Sequence, residues 1–427
     1  VKRLLCKENP VINGYPEYGF IFSLIDDVTV PWVMNNFIEF EVIPEWELFI
    51  SYVNHNSILQ DCPYINNAMV KRNELLQEGV DIARYAAESI AADTCLFLYL
   101  DRFYLSGTEE YRLKHYIHNS FVVGCDTDKE IIYLADNFNG GKYSIIECSY
   151  DDFRNAFRRN SESIVYNSVL QSDYKGDVAK YLTDIIDKTG EAYIFAEKSD
   201  IKAFKTCFPM SHDLKIVGYD NARKRFRIES YFAKKPVVSC SFDEIRKAYR
   251  CYPKQDEIDE IVLLKKVLPE RPERIDLKKI VTSLEEYISP AKGETKRDGY
   301  TVGHNMFVLD YIHDKIWIIE GTRYRFWQFL YERAMLMEYR VKKLEDMGVL
   351  PKDDTFSGQF VRIKKGYLLL RNLFIKADID GDRLEPSFAD IMAQLISGEK
   401  ESIRRLTELL KAYIDTTGNG ELPLEGE

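Results

Sequence analysis

The pattern His-x5-Gly-x-Asp occurs twice in this chain, and that repeat restricts its fold more than any other feature. His118 opens Asn119-Ser120-Phe121-Val122-Val123-Gly124-Cys125-Asp126, and His212 opens Asp213-Leu214-Lys215-Ile216-Val217-Gly218-Tyr219-Asp220. A second apolar run follows each, Ile131 to Leu134 in one copy and Phe226 to Phe232 in the other. Two runs of strand length around a Gly/Asp turn read as a β-hairpin. Each copy then reaches a Ser at an N-cap position with acidic residues behind it, Ser149-Tyr150-Asp151-Asp152 and Ser241-Phe242-Asp243-Glu244. Such residues start helices. The chain therefore contains a duplicated strand–turn–strand–helix unit.

In the first copy the second strand ends at Asp136-Asn137-Phe138. Antiparallel pairing brings the start of one strand beside the end of the next, so His118 and Asp136 are expected to be neighbours. A carboxylate that orients an imidazole is the base half of a nucleophilic triad. Aligned without gaps, Asp136 falls opposite Ser230, with Glu229 one residue off and on the other strand face. Only the first copy keeps the pair.

At 427 residues the chain is long enough for two or three domains. A net charge of −11 lacks the basic footprint of nucleic-acid binding. The eight cysteines are Cys6, Cys62, Cys95, Cys125, Cys148, Cys207, Cys240 and Cys251. None stands in CxxC or a Cys/His ligand spacing, so no structural zinc is expected. No leader-type stretch opens the sequence and no apolar run reaches ~18 residues. A cytoplasmic protein with reduced thiols is expected.

Taken in order, Pro16 to Ile25 reads as a helix with Pro16 in its first turn. Trp32 to Val42 reads as extended and Glu45 to Val53 as a short helix. Asp61-Cys62-Pro63 reads as the start of a helix running to Gln77, and Asp81 as the cap of Ile82 to Ala92. Cys95 to Leu100 reads as a buried strand leading into Asp101-Arg102-Phe103-Tyr104. Ile261 to Val267 is a further strand, and Pro269 to Glu273 a linker. The rear is mainly helical: Asp276 to Ile288, then, after a loop over 290–300, Gly303 to Ile319, Thr322 to Leu344, Phe356 to Lys376, Phe388 to Leu395 and Glu399 to Tyr413. The fold class is α+β. Its expected domains are 1–160 with the His/Asp pair, 161–268 with the degenerate copy, and a helical 269–427.

Two further motifs are weak. Asp378 to Glu385 has Arg383 and Ala389 where a calcium loop needs Gly and Glu, so it reads as an acidic turn. His304, His313 and Glu320 do not share a helical face, so no metal is expected there. The basic residues Arg340, Lys342 and Lys343 read as a solvated helix face.

The motif around His118 and Asp136, together with Pro31-Trp32, Asn35-Asn36-Phe37-Ile38 and the segment Arg323 to Leu344, resembles papain-like relatives of C39-type cysteine peptidases. Within these it resembles most the butirosin-biosynthesis-protein-H-like group of bacterial natural-product clusters. The resemblance implies a papain-like fold. It also implies an acyltransferase or amide synthase in which a cysteine takes an acyl group from a carrier-protein thioester and gives it to an amine. It implies His118 as general base and Asp136 as its orienter. The partners implied are an acyl or peptidyl carrier protein and a small-molecule amine, with no nucleic acid, membrane, metal or cofactor. The family's cysteine would open the first helix near Glu17. Glu17 and Tyr18 stand there instead, leaving Cys6, with Cys62 the alternative, as candidate nucleophile. A binding or accessory protein that keeps the cleft is the second expectation, and a true peptidase the third.

Overall fold

The computed structural model describes residues 1–7, 10, 12–24, 31–36, 40–43, 49–52, 58–113, 115–138, 141–163, 176–204, 211–229, 237–250, 260–267, 274–289, 294–297, 300–315, 325–352, 354–380, 384 and 386–422. It is a mixed α+β structure with antiparallel strand pairing. The chain divides into two compact units. One comprises Val1–Leu5, Asn66–Asn139 and Ile145–Lys265; the other comprises Cys6–Ile65, Gly140–Ser144 and Lys266–Glu427. The first 65 residues thus group largely with the helical rear.

The first unit carries both copies of the repeat. Its larger sheet has seven strands, ordered Ile65–Lys71, Glu260–Lys266, Thr94–Asp101, Ile117–Asp126, Ile131–Phe138 and Lys142–Ser149, with Lys2–Leu4 pairing along the far half of Ile117–Asp126. The four-stranded sheet of the second copy runs Val237–Ser241, Arg225–Glu229, Ser211–Asp220 and Ala192–Glu197. Each copy is longer than the motif that betrays it. The helix Ile82–Ala91 and strand Thr94–Asp101 precede the first hairpin as the helix Val178–Thr189 and strand Ala192–Glu197 precede the second. Helix Ile82–Ala91 buries Ala83, Ala86 and Ile90; the second copy buries Leu182, Ile194, Ile216, Phe226 and Ile245 in one cluster.

The two copies explain each residue of the motif. The ladder slips between Val122 and Gly124, and again between Ile216 and Gly218, so the glycine marks a β-bulge. A Cβ on Gly124 would lie 2.5 Å from the carbonyl oxygen of Arg3, and Gly218 has φ +154°. The motif aspartate closes the turn: Asp126 Oδ1 accepts from the N–H groups of Asp128 and Lys129, and Asp220 Oδ1 from that of Arg223. Glu130 and Lys224 end the two turns at positive φ, and their carbonyls accept from Tyr150 N and Phe242 N at the helix starts.

The same clamp ties both closing helices back. Arg154 grips Asp81, the N-cap of Ile82–Ala91, through Nε and Nη2 at 2.9 and 2.8 Å, with Nη1 on Asp151. Arg246 does the same to Asp177 at 2.8 and 2.7 Å, with Nη1 on Asp243. Ser149 and Ser241 cap their helices through Asp152 N and Glu244 N, and Glu244 answers on Ser241 N, completing a capping box.

In the second unit the described helices are Pro16–Leu24, Pro31–Asn35, Ile58–Asp61, Leu277–Ile288, Met306–Asp314, Arg325–Asp346, Asp354–Asp380 and Pro386–Thr417, beside a sheet of Glu294–Arg297, Tyr300–His304, Phe40–Ile43 and Phe49–Tyr52. Its core holds a buried ion pair, with Arg333 on both Glu399 oxygens at 2.6 and 2.7 Å and Tyr367 donating to Glu399 at 2.7 Å. Glu332, fully buried, accepts from Asn13 N and Gly14 N at 2.9 and 3.2 Å and from Gln328 at 2.9 Å.

Several expected elements differ. Ile65–Lys71 is a strand, and only Arg72–Gln77 is helical where one helix to Gln77 was expected. Its pairing partner, Glu260–Lys266, lies far along the chain and is invisible to local pattern. Pro31–Asn35 is a helix, Pro31 fitting its first turn, and only Phe40–Ile43 is extended. Phe49–Tyr52 is a strand paired with Phe40–Ile43, not part of a helix. Glu294–Arg297 and Tyr300–His304 form a hairpin where a loop and a helix start were expected; the helix begins at Met306. Pro386–Thr417 is one helix, since Gly398 costs only about 1 kcal/mol and buried Met392, Ile396, Ile403 and Leu406 pack on both sides of it. Linker 269–273 lies outside the described residues.

The Arg246 clamp lowers the Asp177 carboxyl to about 2, with the N-cap N–H of Ala179 assisting against a small burial cost. A depressed carboxylate contributes stability above its unfolded value of ~3.9 and loses it as pH falls through the folded value. Asp177→Ala is expected to cost about 1–2 kcal/mol in urea unfolding at neutral pH. The gap from wild type should be constant above about pH 4 and narrow below it.

Candidate active site

The chemistry-bearing side chains of the first unit gather where Thr94–Asp101 ends and Ile117–Asp126 begins. These strands pair antiparallel with Leu100 opposite His118, and Phe121 pairs with Ala135 on the other side. Ile131–Phe138 therefore ends beside the histidine. His118 Nδ1 lies 2.9 Å from Asp136 Oδ2, as the hairpin predicts, and 2.8 Å from the carbonyl oxygen of Asn119. Both are acceptors and lie closer than the one donor beside it, Arg102 Nη2 at 3.3 Å, so Nδ1 carries the proton and donates. Nε2 is left as the basic nitrogen. The His118 side chain is 32% exposed while Asp136 is fully buried, so the base can meet a solute and its orienter cannot.

Asp136 is held by more than the histidine. Oδ2 also accepts from Arg102 Nη2 at 2.7 Å and Ser120 Oγ at 2.9 Å, and Oδ1 accepts from Asn137 N at 2.6 Å. Burial by itself would raise the carboxyl; the His118 and Arg102 charges outweigh it and hold Asp136 well below the usual carboxylate range. Arg102 is likewise buried at a cost, and Asp136 more than restores its cation. The guanidinium lies between two rings, 5.2 Å from the Tyr116 centroid and 4.9 Å from that of Phe138. Tyr116 stacks on His118 at 5.7 Å.

A second imidazole–carboxylate pair sits next to the first. His115 Nδ1 is 2.6 Å from Asp101 Oδ2, and Asp101 Oδ1 accepts from Phe103 N and Tyr116 N. The hydrogen bond to Asp101 raises the His115 imidazole against the opposing effect of burial. Sequence reasoning found neither this pair nor Arg102 and Ser120. A signal existed: Asp101-Arg102 aligns with Glu197-Lys198, an acid followed by a cation at the end of the same strand in both copies.

The cysteines are divided between the two units. In the first unit Cys95, Cys125, Cys148 and Cys240 are buried on strands. Burial raises the Cys125 thiol, pushes Cys240 up to about 12 and Cys148 further still. Such thiols are poor nucleophiles. Cys6 and Cys62 are buried in the second unit, and Cys207 and Cys251 lie outside the described residues. Cys62 follows the short helix Ile58–Asp61 rather than opening one, so no helix N-terminus favours its thiolate. Glu17 and Tyr18 occupy the first turn of Pro16–Leu24, and Tyr18 is buried. His212 lies opposite Ala196 on its strand, the register of His118 opposite Leu100; Ser230 lies outside the described residues, and Glu229 pairs with Lys215 at 3.2 Å.

Among the described residues no three His, Cys, Asp or Glu side chains converge to hold a metal ion, and no helix is long and apolar enough to cross a membrane. His304 pairs with Thr295 at 2.8 Å. No protein-family model and no curated protein matches the chain.

Asp136→Asn would leave the Arg102 guanidinium buried with only Glu110, 3.9 Å from Nη1, to balance it. Losing one partner of a buried pair costs about 3–5 kcal/mol. Ser120→Ala removes one donor and should cost about 1 kcal/mol. Chemical denaturation of the two variants measures the ratio.

Proposed function

We propose that this protein is an acyltransferase of the papain-like kind, forming an amide from a carrier-bound thioester and a small amine. The observation that supports it is the His118 ring: its Nδ1 is committed to two acceptors, its side chain is partly exposed, and its partner acid is held in the ionised state. That is the arrangement a general base needs. His118 Nε2 removes a proton from the amine as its nitrogen attacks the thioester carbonyl. The C–N bond forms, the C–S bond breaks, and the carrier thiolate leaves with the proton returned by the imidazolium. In the two-step form that the family resemblance implies, the acyl group rests on Cys6 before the amine takes it. The location proposed is the cytoplasm, and the partner an acyl or peptidyl carrier protein.

A second reading is a binding or accessory protein that retains the base pair without turnover. The observation favouring it is that no described cysteine opens a helix, the position at which a thiol is best activated.

Incubation with a model acyl thioester and an amine is expected to give amide, with the rate falling about 100-fold or more in His118→Ala. Intact mass without the amine should show one acyl adduct, lost in Cys6→Ala. Absence of amide and adduct from folded protein supports the second reading.

A further inference from the structure

The rear helix Asp354–Asp380 has two unlike faces. It packs against Arg325–Asp346 and Pro386–Thr417, and its Phe360, Ile363, Tyr367, Leu370 and Phe374 are buried. Two residues on from each of these, Arg362, Lys365, Leu369, Asn372 and Lys376 are exposed, and Ile379 continues the line. At 3.6 residues per turn that offset puts the line on the side away from the core, as one band about 26 Å long. Leu369 is 46% exposed and Ile379 77%, which few large apolar side chains of this chain are.

Residues 355–377 contain no Asp or Glu, in a chain whose net charge is −11. Two cations of this stretch are engaged within the unit: Lys364 pairs with Glu338, and Arg371 donates to Gln328 and Asn372. Among the described residues Arg362, Lys365 and Lys376 make no hydrogen bond or ion pair. Other exposed cations of the helical rear do: Lys352 with Asp346, Arg404 with Glu401, Arg405 with Glu408 and Lys411 with Glu285. A helix face that only has to be solvated mixes its signs in that way. Acids return only at Asp378 and Asp380, at the helix end.

We propose that the band over residues 362–379 is a docking surface for an acidic, amphipathic helix of a partner protein. The partner's carboxylates meet Arg362, Lys365 and Lys376, and its apolar residues cover Leu369 and Ile379. Charge complementarity selects this occupant. A second copy of the chain, laid on the same face across a two-fold axis, would set cation against cation. Three cations are few for a nucleic-acid duplex, which carries a charge every ~1.7 Å. A membrane surface calls for a broad apolar face with aromatic residues, and this band has two aliphatic side chains and no aromatic one.

The inference is independent of the reaction proposed above. Its probe is a synthetic helix of about 20 residues, leucine on one face and glutamate on the rest, beside the same peptide with lysine for glutamate. In fluorescence anisotropy the full chain is expected to bind the acidic peptide, more weakly as salt rises, and not the basic one. The triple variant Arg362→Glu, Lys365→Glu, Lys376→Glu should bind it about tenfold more weakly or worse. Leu369→Ser should also weaken binding, and as a single exposed change it carries the test if the triple variant does not fold. Urea unfolding of each variant separates lost binding from lost fold. No binding of the acidic peptide by the wild-type chain, or equal binding by the folded variants, overturns the proposal. Binding to phosphatidylserine vesicles but not to the peptide also overturns it and would assign the band to a membrane.

Discussion

One carboxylate oxygen organises this site. Asp136 Oδ2 accepts from an imidazole, a guanidinium and a hydroxyl. A fully buried aspartate is tolerable only when its charge is met this thoroughly. His118 and Ser120 come from one strand, Arg102 from the turn after the strand beside it, and Asp136 from the strand on the other side. The register of three strands therefore converges on one atom, and a slip of one residue would turn the partners to opposite faces.

The duplication separates the parts of the motif that recur in both copies from those that do not. Gly124 and Gly218 place equivalent bulges, and Asp126 and Asp220 close equivalent turns. The Asp81–Arg154 and Asp177–Arg246 clamps are equivalent as well. These are requirements of the unit and recur in both copies. The carboxylate Asp136 is confined to one copy in the sequence alignment, as expected if one module retains the acid and the other serves as scaffold.

What could be read from sequence was what hairpins decide locally. The His118–Asp136 contact follows from strand alternation and one turn, and it was legible. The caps at Ser149, Ser241 and Asp81 were legible because an N-cap is a short-range event. Arg102 was not, because its contact needs the pairing of Thr94–Asp101 with Ile117–Asp126, which no local pattern announces. Ile65–Lys71 failed for the same reason: an exposed, asparagine-rich segment becomes a strand only because Glu260–Lys266 lies beside it. Short runs such as Phe49–Tyr52 carry too few residues for their period to separate helix from strand. The long rear helices read well in position, their ends less so.

Glu332 carries a consequence for the segment that leads into Pro16–Leu24. Its carboxylate already engages the main-chain N–H groups of Asn13 and Gly14, and a side chain at Gly14 would run into the Phe329 ring. Ahead of the first helix, then, the carboxyl group of Glu332 has already taken two main-chain donors that an arriving anion would need.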